Sequence, residues 1–339
     1  MAENGTLYFG NEDGAFHALD IGTRQVLWTF AASGAIETRP VLTDGKIIFN
    51  VGNSLYILNA VTGEPIHTLT YPSTHSERVS DDDFAFNDSQ VAVTDGVAYF
   101  AALNGDLVAV DILSGEIIWT LVAPLEGLVS SGVSYYAGKL YFIGFPGNLY
   151  AVDIHTGQTL FETQIRNMAF KPMAIYDGMM YIGGRNMRFY CIDAASGEVI
   201  WRSHSQNPGT WFSGGSVIIG SSVFTGTADE NRITVFDKDS GEFERSYPAL
   251  GFVYTPLLSH GNNVIALTTN IFAALDDPRL TAERRIPRSQ AFSIDTENHT
   301  KIWLASLDTT VVSAPIIYQD ILYFGSDSGR VYSIDLDIS

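Results

Sequence analysis

One cysteine, Cys191, in 339 residues leaves no partner for an internal disulfide and excludes a CxxCH haem site or a cysteine-rich zinc site. Positive charge is scarce as well. Nineteen Lys plus Arg stand against 38 Asp plus Glu, a formal net charge of −19, which argues against a nucleic-acid binder. No stretch approaches the roughly 18 apolar residues a membrane helix needs, so no transmembrane segment is expected. Met1 to Gly5 has neither the basic start nor the apolar run of a signal peptide. Sustained helical periodicity is missing, as are a GxSxG elbow, an HExxH helix and a phosphate loop; Gly183-Gly184 and Gly214-Gly215 read as strand or turn glycines. These absences describe a soluble monomer whose compartment is unknown, since the acidic balance suits extracellular, periplasmic and cytosolic proteins equally.

What is abundant points to β structure. Hydrophobic residues make up 46% of the chain and charged residues 17%, with 31 Gly, 20 Phe and 16 Tyr. A repeat organises them: an apolar run, Asp-Gly, an apolar run with Tyr or Phe, a variable turn, aromatic-x-x-Asp, then Ser/Thr-Gly-Glu and a Trp. Aligned on its aspartate the repeat has eight copies, anchored at Asp20, Asn59, Asp111, Asp153, Asp193, Asp237, Asp295 and Asp335. Four residues later stand Arg24, Gly63, Gly115, Gly157, Gly197, Gly241 and His299. Eight residues later stand Trp28, His67, Trp119, Phe161, Trp201, Arg245 and Trp303. One copy reads as strands Val91 to Val93, Val97 to Ala101, Leu107 to Asp111 and Ile117 to Leu121, and copies recur about every 40 residues, the length of a four-stranded propeller blade. The aspartate is suited to bond the turn's own amides, the glycine to a positive φ, and the tryptophan to cover the neighbouring sheet. Residues 1–339 are therefore expected to form a single all-β domain, one β-propeller of eight four-stranded blades, with seven as the alternative. The first copy begins at its second strand, near Thr6, and the last ends after its third, near Asp335, which leaves one inner and one outer strand unaccounted for.

The segment Val110-Asp111-Ile112-Leu113-Ser114-Gly115-Glu116-Ile117-Ile118-Trp119 resembles the tryptophan-docking motif of the pyrroloquinoline-quinone-repeat propellers, and the resemblance spans essentially the whole chain. It implies the fold and leaves function open, because the superfamily holds quinone-dependent dehydrogenases, a lipoprotein of outer-membrane barrel assembly, and sensor domains. The resemblance implies a member that is not a dehydrogenase. Those enzymes carry an adjacent-cysteine disulfide and a calcium-binding Glu/Asn/Asp set with no equivalent here, so no pyrroloquinoline quinone is expected. The copies with His67 and Arg245 in the Trp position are expected to pack less regularly.

In such a blade the first-to-second and third-to-fourth turns share one end, and the second-to-third turns and inter-blade loops share the other, where nearly every irregularity falls. The connection from Tyr71 to Ser89 carries His75 and the run Asp81-Asp82-Asp83; it lacks the spacing of a dedicated calcium loop, so a calcium site there is a weak expectation and no metal ligands are assigned. The loop from Ser203 to Gly215 carries His204 and Trp211, the only Trp outside the docking register, suited either to stack on a ligand or to plug the next blade. An insertion within the seventh repeat, 270–289, concentrates Arg279, Arg284, Arg285 and Arg288 and is long enough for a lid. At the start of the innermost strands an alignment places Thr38, Ser89, Ser131, Lys171, Ser213, Tyr254 and Ser313, with Arg39 alongside.

Two functions fit. The first is a propeller that binds a small molecule or a protein partner at its irregular end, through Arg39, Ser89, Ser131, Ser213, Trp211, His75, Arg284, Arg285 and Arg288. The second is a non-redox lyase, isomerase or cyclase at the same place, with Lys171, Tyr254 and His204 as acid, base or electrostatic groups. The binder is the preferred reading, since no catalytic constellation can be named from the residues.

Overall fold

A computed structural model describes residues 1–72, 90–122, 131–144, 147–166, 173–205, 211–228, 230–269, 289–311 and 313–336. Among these residues the chain forms eight antiparallel sheets and no helix. They are the blades of a β-propeller, and the seven-blade alternative is excluded. The contacts divide the chain into two compact units, Met1–Pro172 and Met173–Ser339. The first holds sheets 1 to 4, spanning 2–31, 41–70, 92–121 and 134–164; the second holds sheets 5 to 8, spanning 174–204, 217–248, 258–307 and 316–335. Every sheet is a meander in which consecutive strands pair.

Sheet 3 lies where the repeat places it: Ala92–Thr94, Val97–Ala101, Leu107–Asp111 and Ile117–Leu121. Sheet 1 corrects the sequence reading. Its inner strand is present as Ala2–Glu3, paired with Leu7 and Thr6. Two residues, one of them Glu, carry no alternating pattern by which sequence could reveal them. Sheet 8 has three strands among the described residues, ending at Val331–Asp335.

One backbone bond recurs in all eight sheets and fixes their polarity. The amide after each anchor donates to a carbonyl in the first-to-second turn: Ala60 to Gly45 and Ile112 to Gly96 at 2.9 Å, Ala194 to Gly178, Lys238 to Ser221 and Leu336 to Asp320 at 2.8 Å, with equivalents at Ile21, Ile154 and Thr296. The first-to-second turn of each sheet and the residues that follow its anchor thus sit together at one end, the turn end. The second-to-third turns and the inter-sheet loops form the opposite, loop end.

Burial follows the pleat. The third strands of sheets 2 to 7 are almost wholly buried, and the apolar core is a series of layers between sequence-adjacent sheets rather than one central mass. Phe16 of sheet 1 stacks on Phe49 of sheet 2 with centroids 4.6 Å apart, and Phe189 of sheet 5 on Phe236 of sheet 6 at 5.5 Å.

The anchor carboxylates act as read from sequence. Oδ1 of Asp111 accepts the amides of Leu113 and Ser114, and Asn59 does the same for Val61 and Thr62. The indoles dock on the next sheet: Trp28 Nε1 donates to Ala60 O, Trp119 to Ile154 O and Trp201 to Lys238 O, at 2.9 to 3.1 Å. Gly241 shows why glycine is needed beneath such a ring, for its φ is +72° and an added Cβ would lie 2.5 Å from the Trp201 indole. The expected irregularity at His67 does not occur. Its Nε2 lies 2.8 Å from Leu113 O, and its ring covers Gly115 as an indole would, because imidazole supplies the same flat face and a ring nitrogen. Arg245 is followed in the next copy by His299 in place of glycine, so a missing ring and a missing glycine go together.

The fourth strands carry a further feature that sequence reading missed. In all seven a β-bulge interrupts the pairing with the third strand. An outer strand is an exposed edge, and a bulge twists it out of register with any incoming strand.

Candidate loop-end site

The loop end of sheets 5 and 6 brings together the largest group of described candidate residues. The second-to-third turn of sheet 5 presents Arg185, Asn186, Met187 and Arg188; that of sheet 6 presents Glu230 and Arg232. The loop between them is pinned to both. Ser205 N donates to Met187 O, Phe212 N to Gly184 O, and Ala228 N to Trp211 O, while Ser205 Oγ donates to Glu230 Oε1 at 2.8 Å.

The two aromatic residues of this loop divide the roles that sequence left open for Trp211. Phe212 is the plug: it is buried against Phe189 and Phe236, and Gly183 has no Cβ that would collide with it. Trp211 stays half-buried at the loop end, with the Arg185 guanidinium 4.4 Å over its ring. The half-buried Arg185 guanidinium lies against this aromatic face with its Nε buried, which fixes where the cation sits.

His204 is exposed at the end of the fourth strand of sheet 5, in register with Arg188. Ser213 is buried, its Oγ donating to Val253 O at 3.0 Å. Tyr254 is half-buried in the following loop, its ring stacked on Phe252 at 5.4 Å. His204, Trp211, Ser213 and Tyr254 therefore all belong to the loop end of sheets 5 to 7.

Four hydroxyls at the inner-strand entries share one spacing to their partners, and one register differs from the sequence alignment. Thr38 Oγ1 donates to Asn50 O, Thr255 Oγ1 to Leu267 O, and the Oγ atoms of Ser131 and Ser313 accept the amides of Ile143 and Gly325. Each partner lies twelve residues on, so the structural counterpart of Thr38 in sheet 7 is Thr255 and not its neighbour Tyr254. These hydroxyls tie the entry of the inner strand to the second strand. Arg39 is half-buried beside Thr38 in the first unit. Lys171, Ser89, His75, Arg284, Arg285 and Arg288 lie outside the described residues, as does the Asp81 to Asp83 run. Among the described residues no group of three or more His, Cys, Asp or Glu could hold a metal ion, and no helix is long and apolar enough to cross a membrane.

Charge separates the two ends of the second unit. The turn end carries Asp177, Asp193, Asp237, Asp239, Asp295, Asp320 and Asp335, against Lys238. Turn hydrogen bonds hold the carboxyls of Asp237 and Asp295 below the usual carboxylate range, so both are ionised at neutral pH. Among the described residues the loop end carries Arg185, Arg188, Arg232 and Arg330 against Glu230, Asp308 and Asp327, and Asp327 is engaged by Thr309 and Thr310. Four of the chain's 19 basic side chains thus gather where the turns are irregular. The one thiol is elsewhere: Cys191 is buried across from Trp201, and burial pushes its pKa up to about 11.

Comparison with solved structures agrees with the fold. BamB from Moraxella catarrhalis superposes with a TM-score of 0.73 at 13% identity, covering 98% of this chain and 94% of that one. The computationally designed Ika8 protein gives 0.72 at 14% identity, covering 99% and 94%. At this identity both show the fold alone. The outer membrane protein assembly factor BamB of Yersinia pestis is 25% identical over 163 residues, 35% of this chain and 42% of that protein, so the match spans less than half the length of this curated relative. A family model described as outer membrane protein assembly factor BamB matches residues 1–202, 52–247 and 185–338, and the chain belongs to that family.

Proposed function

We propose that this chain is a partner-binding propeller that receives an acidic segment of another protein at the loop end of sheets 5 and 6. The observation that carries the reading is Arg185 held 4.4 Å over the half-buried Trp211, on a loop pinned to two sheets. A positioned guanidinium and a rigid aromatic surface are the groups enriched where proteins recognise one another. Arg188, Arg232 and the exposed His204 extend the same surface, and their charge opposes that of the rest of the molecule. Electrostatic contrast of this kind steers an acidic partner to one end of an acidic protein. Membership of a family described by the assembly of outer membrane proteins supports a protein rather than a metabolite as the ligand.

Co-purification from the host tests this. Tagged chain carrying Arg185→Ala or Trp211→Ala should recover its partner at least roughly tenfold less well than the unaltered chain, the loss of one central anchor. Leu113→Ala, at an exposed position of the turn end, should recover it fully. Equal recovery by all three variants would exclude the loop end as the binding surface.

A further inference from the structure

Beyond the loop-end reading, and independent of it, we infer that the outer turn end of sheets 2 and 3 receives a basic amphipathic helix of another protein. The bulges supply the first observation. In sheets 1 to 5 the residue that the bulge leaves without a cross-strand partner is Leu27, Ile66, Ile118, Leu160 and Ile200 in turn, each aliphatic and 40 to 55% exposed. Guarding an edge needs no apolar residue at that place, and sheet 6 has Glu244 there. These bulges instead present an apolar side chain at the outer edge. Sheets 2 and 3 extend the display. Two residues after the anchor they carry Val61 and Leu113, 80% and 82% exposed, the highest values among the described large apolar residues. The other copies have Gly22, His155, Ala195, Asp239 and Glu297 at this position.

The junction between the two sheets joins these residues. The His67 ring, next in the chain to Ile66, covers Gly115, and its Nε2 lies 2.8 Å from Leu113 O. Val61, Ile66, Leu113, Ile117 and Ile118 therefore share one exposed surface on neighbouring sheets, and contiguous apolar exposure marks an interaction site where single exposed aliphatics do not. Charge and backbone decide what fits. The turn end of sheets 2 and 3 carries Asp44, Glu64, Asp95, Asp111 and Glu116 against Lys46, so the complementary partner surrounds its apolar residues with Lys or Arg. The register shifts between Ile57 and Leu58 and between Ala109 and Val110, which leaves the outer strands without a regular edge for strand addition. Contact is then made by side chains. A helix satisfies its own backbone and offers an apolar stripe flanked by cations, which matches both properties of the surface.

The probe is the dye-labelled peptide Leu-Lys-Lys-Leu-Leu-Lys-Leu-Leu-Lys-Lys-Leu-Leu-Lys-Leu, blocked at both ends, titrated into the full chain and followed by fluorescence anisotropy. A shuffled peptide of the same composition, without the apolar stripe, measures attraction to the acidic chain as a whole. The expected result is saturable binding of the first peptide, weakened roughly tenfold or more by the double substitution Val61→Ser and Leu113→Ser. Both are exposed turn positions, so the double variant keeps the fold. Ile200→Ser, at the same bulge position in sheet 5, should leave the affinity unchanged, and so should Arg185→Ala, which separates this surface from the loop end. Equal affinity for the shuffled peptide, or equal affinity of the double variant and the unaltered chain, would overturn the proposal. So would a concentration-dependent dimer that the double variant abolishes, which would assign the surface to a second copy of this chain.

Discussion

At the residue scale the repeat works through small, local satisfactions. The anchor carboxylates of Asp20, Asp111, Asp153, Asp193, Asp237 and Asp295 accept amides of their own turns, and these bonds hold Asp20, Asp111, Asp153, Asp237 and Asp295 below the usual carboxylate pKa. A carboxyl depressed in the folded state stabilises the protein above its unfolded pKa, and that stability is lost as pH falls through the folded value. The denaturant midpoint should therefore fall as pH is lowered from about 5 toward 3, through the range set by an unfolded carboxyl near 4. Asp111→Asn should keep most of the stability at pH 7 and contribute less to that fall, since Asn59 already fills the same role with an amide oxygen. A chemical-denaturation series against pH checks both; an unchanged pH slope in the variant would contradict the assignment. These anchors were legible in the sequence because carboxylate, glycine and spacing recur together. The hydroxyls were legible as a series, but their partners were not. A serine that bonds a backbone group twelve residues away leaves no pattern of its own, and a one-residue slip put Tyr254 where Thr255 belongs.

At the element scale the sheets are joined by rings on glycines and by plugs. Trp201 is 9% exposed and hydrogen-bonded across to sheet 6, whereas Trp303 is 46% exposed. Trp201→Ala should cost about 3–5 kcal/mol, the range for a buried large-to-small change, and Trp303→Ala should cost much less, about 1 kcal/mol. Comparable losses in thermal or denaturant unfolding would mean that docking does not hold the sheets together. The strand boundaries of sheet 3 could be read almost to the residue, because period-two burial and turn residues agree there. The inner strand of sheet 1 could not, because two residues cannot show a period. Neither could the bulges, which depend on how two strands meet. The His67 sheet was expected to be irregular from residue type alone, yet imidazole covers the glycine of the next sheet as an indole does and meets the carbonyl of Leu113 in the same turn.

At the scale of the whole molecule, the described residues of the second unit place acidic turns at one end and the arginine-bearing turns of sheets 5, 6 and 8 at the other. That contrast is only partly legible in sequence. Arg188, Arg232 and Arg330 each stand five residues before the anchor of their sheet, and Arg185 lies in the same turn as Arg188, so residues scattered over 146 positions come to one end of their sheets. The sequence singled out Trp211 as unusual, but not that Phe212 would take the packing role and leave Trp211 beneath Arg185. The most direct test of loop-end recognition is an amide-exchange footprint of the chain with its co-purified partner. Protection concentrated at Phe212 and Ala228, with the turn-end amides of Gly197 and Gly241 exchanging as in the free protein, is the predicted result. Protection confined to the turn end, with Phe212 and Ala228 unchanged, would contradict it.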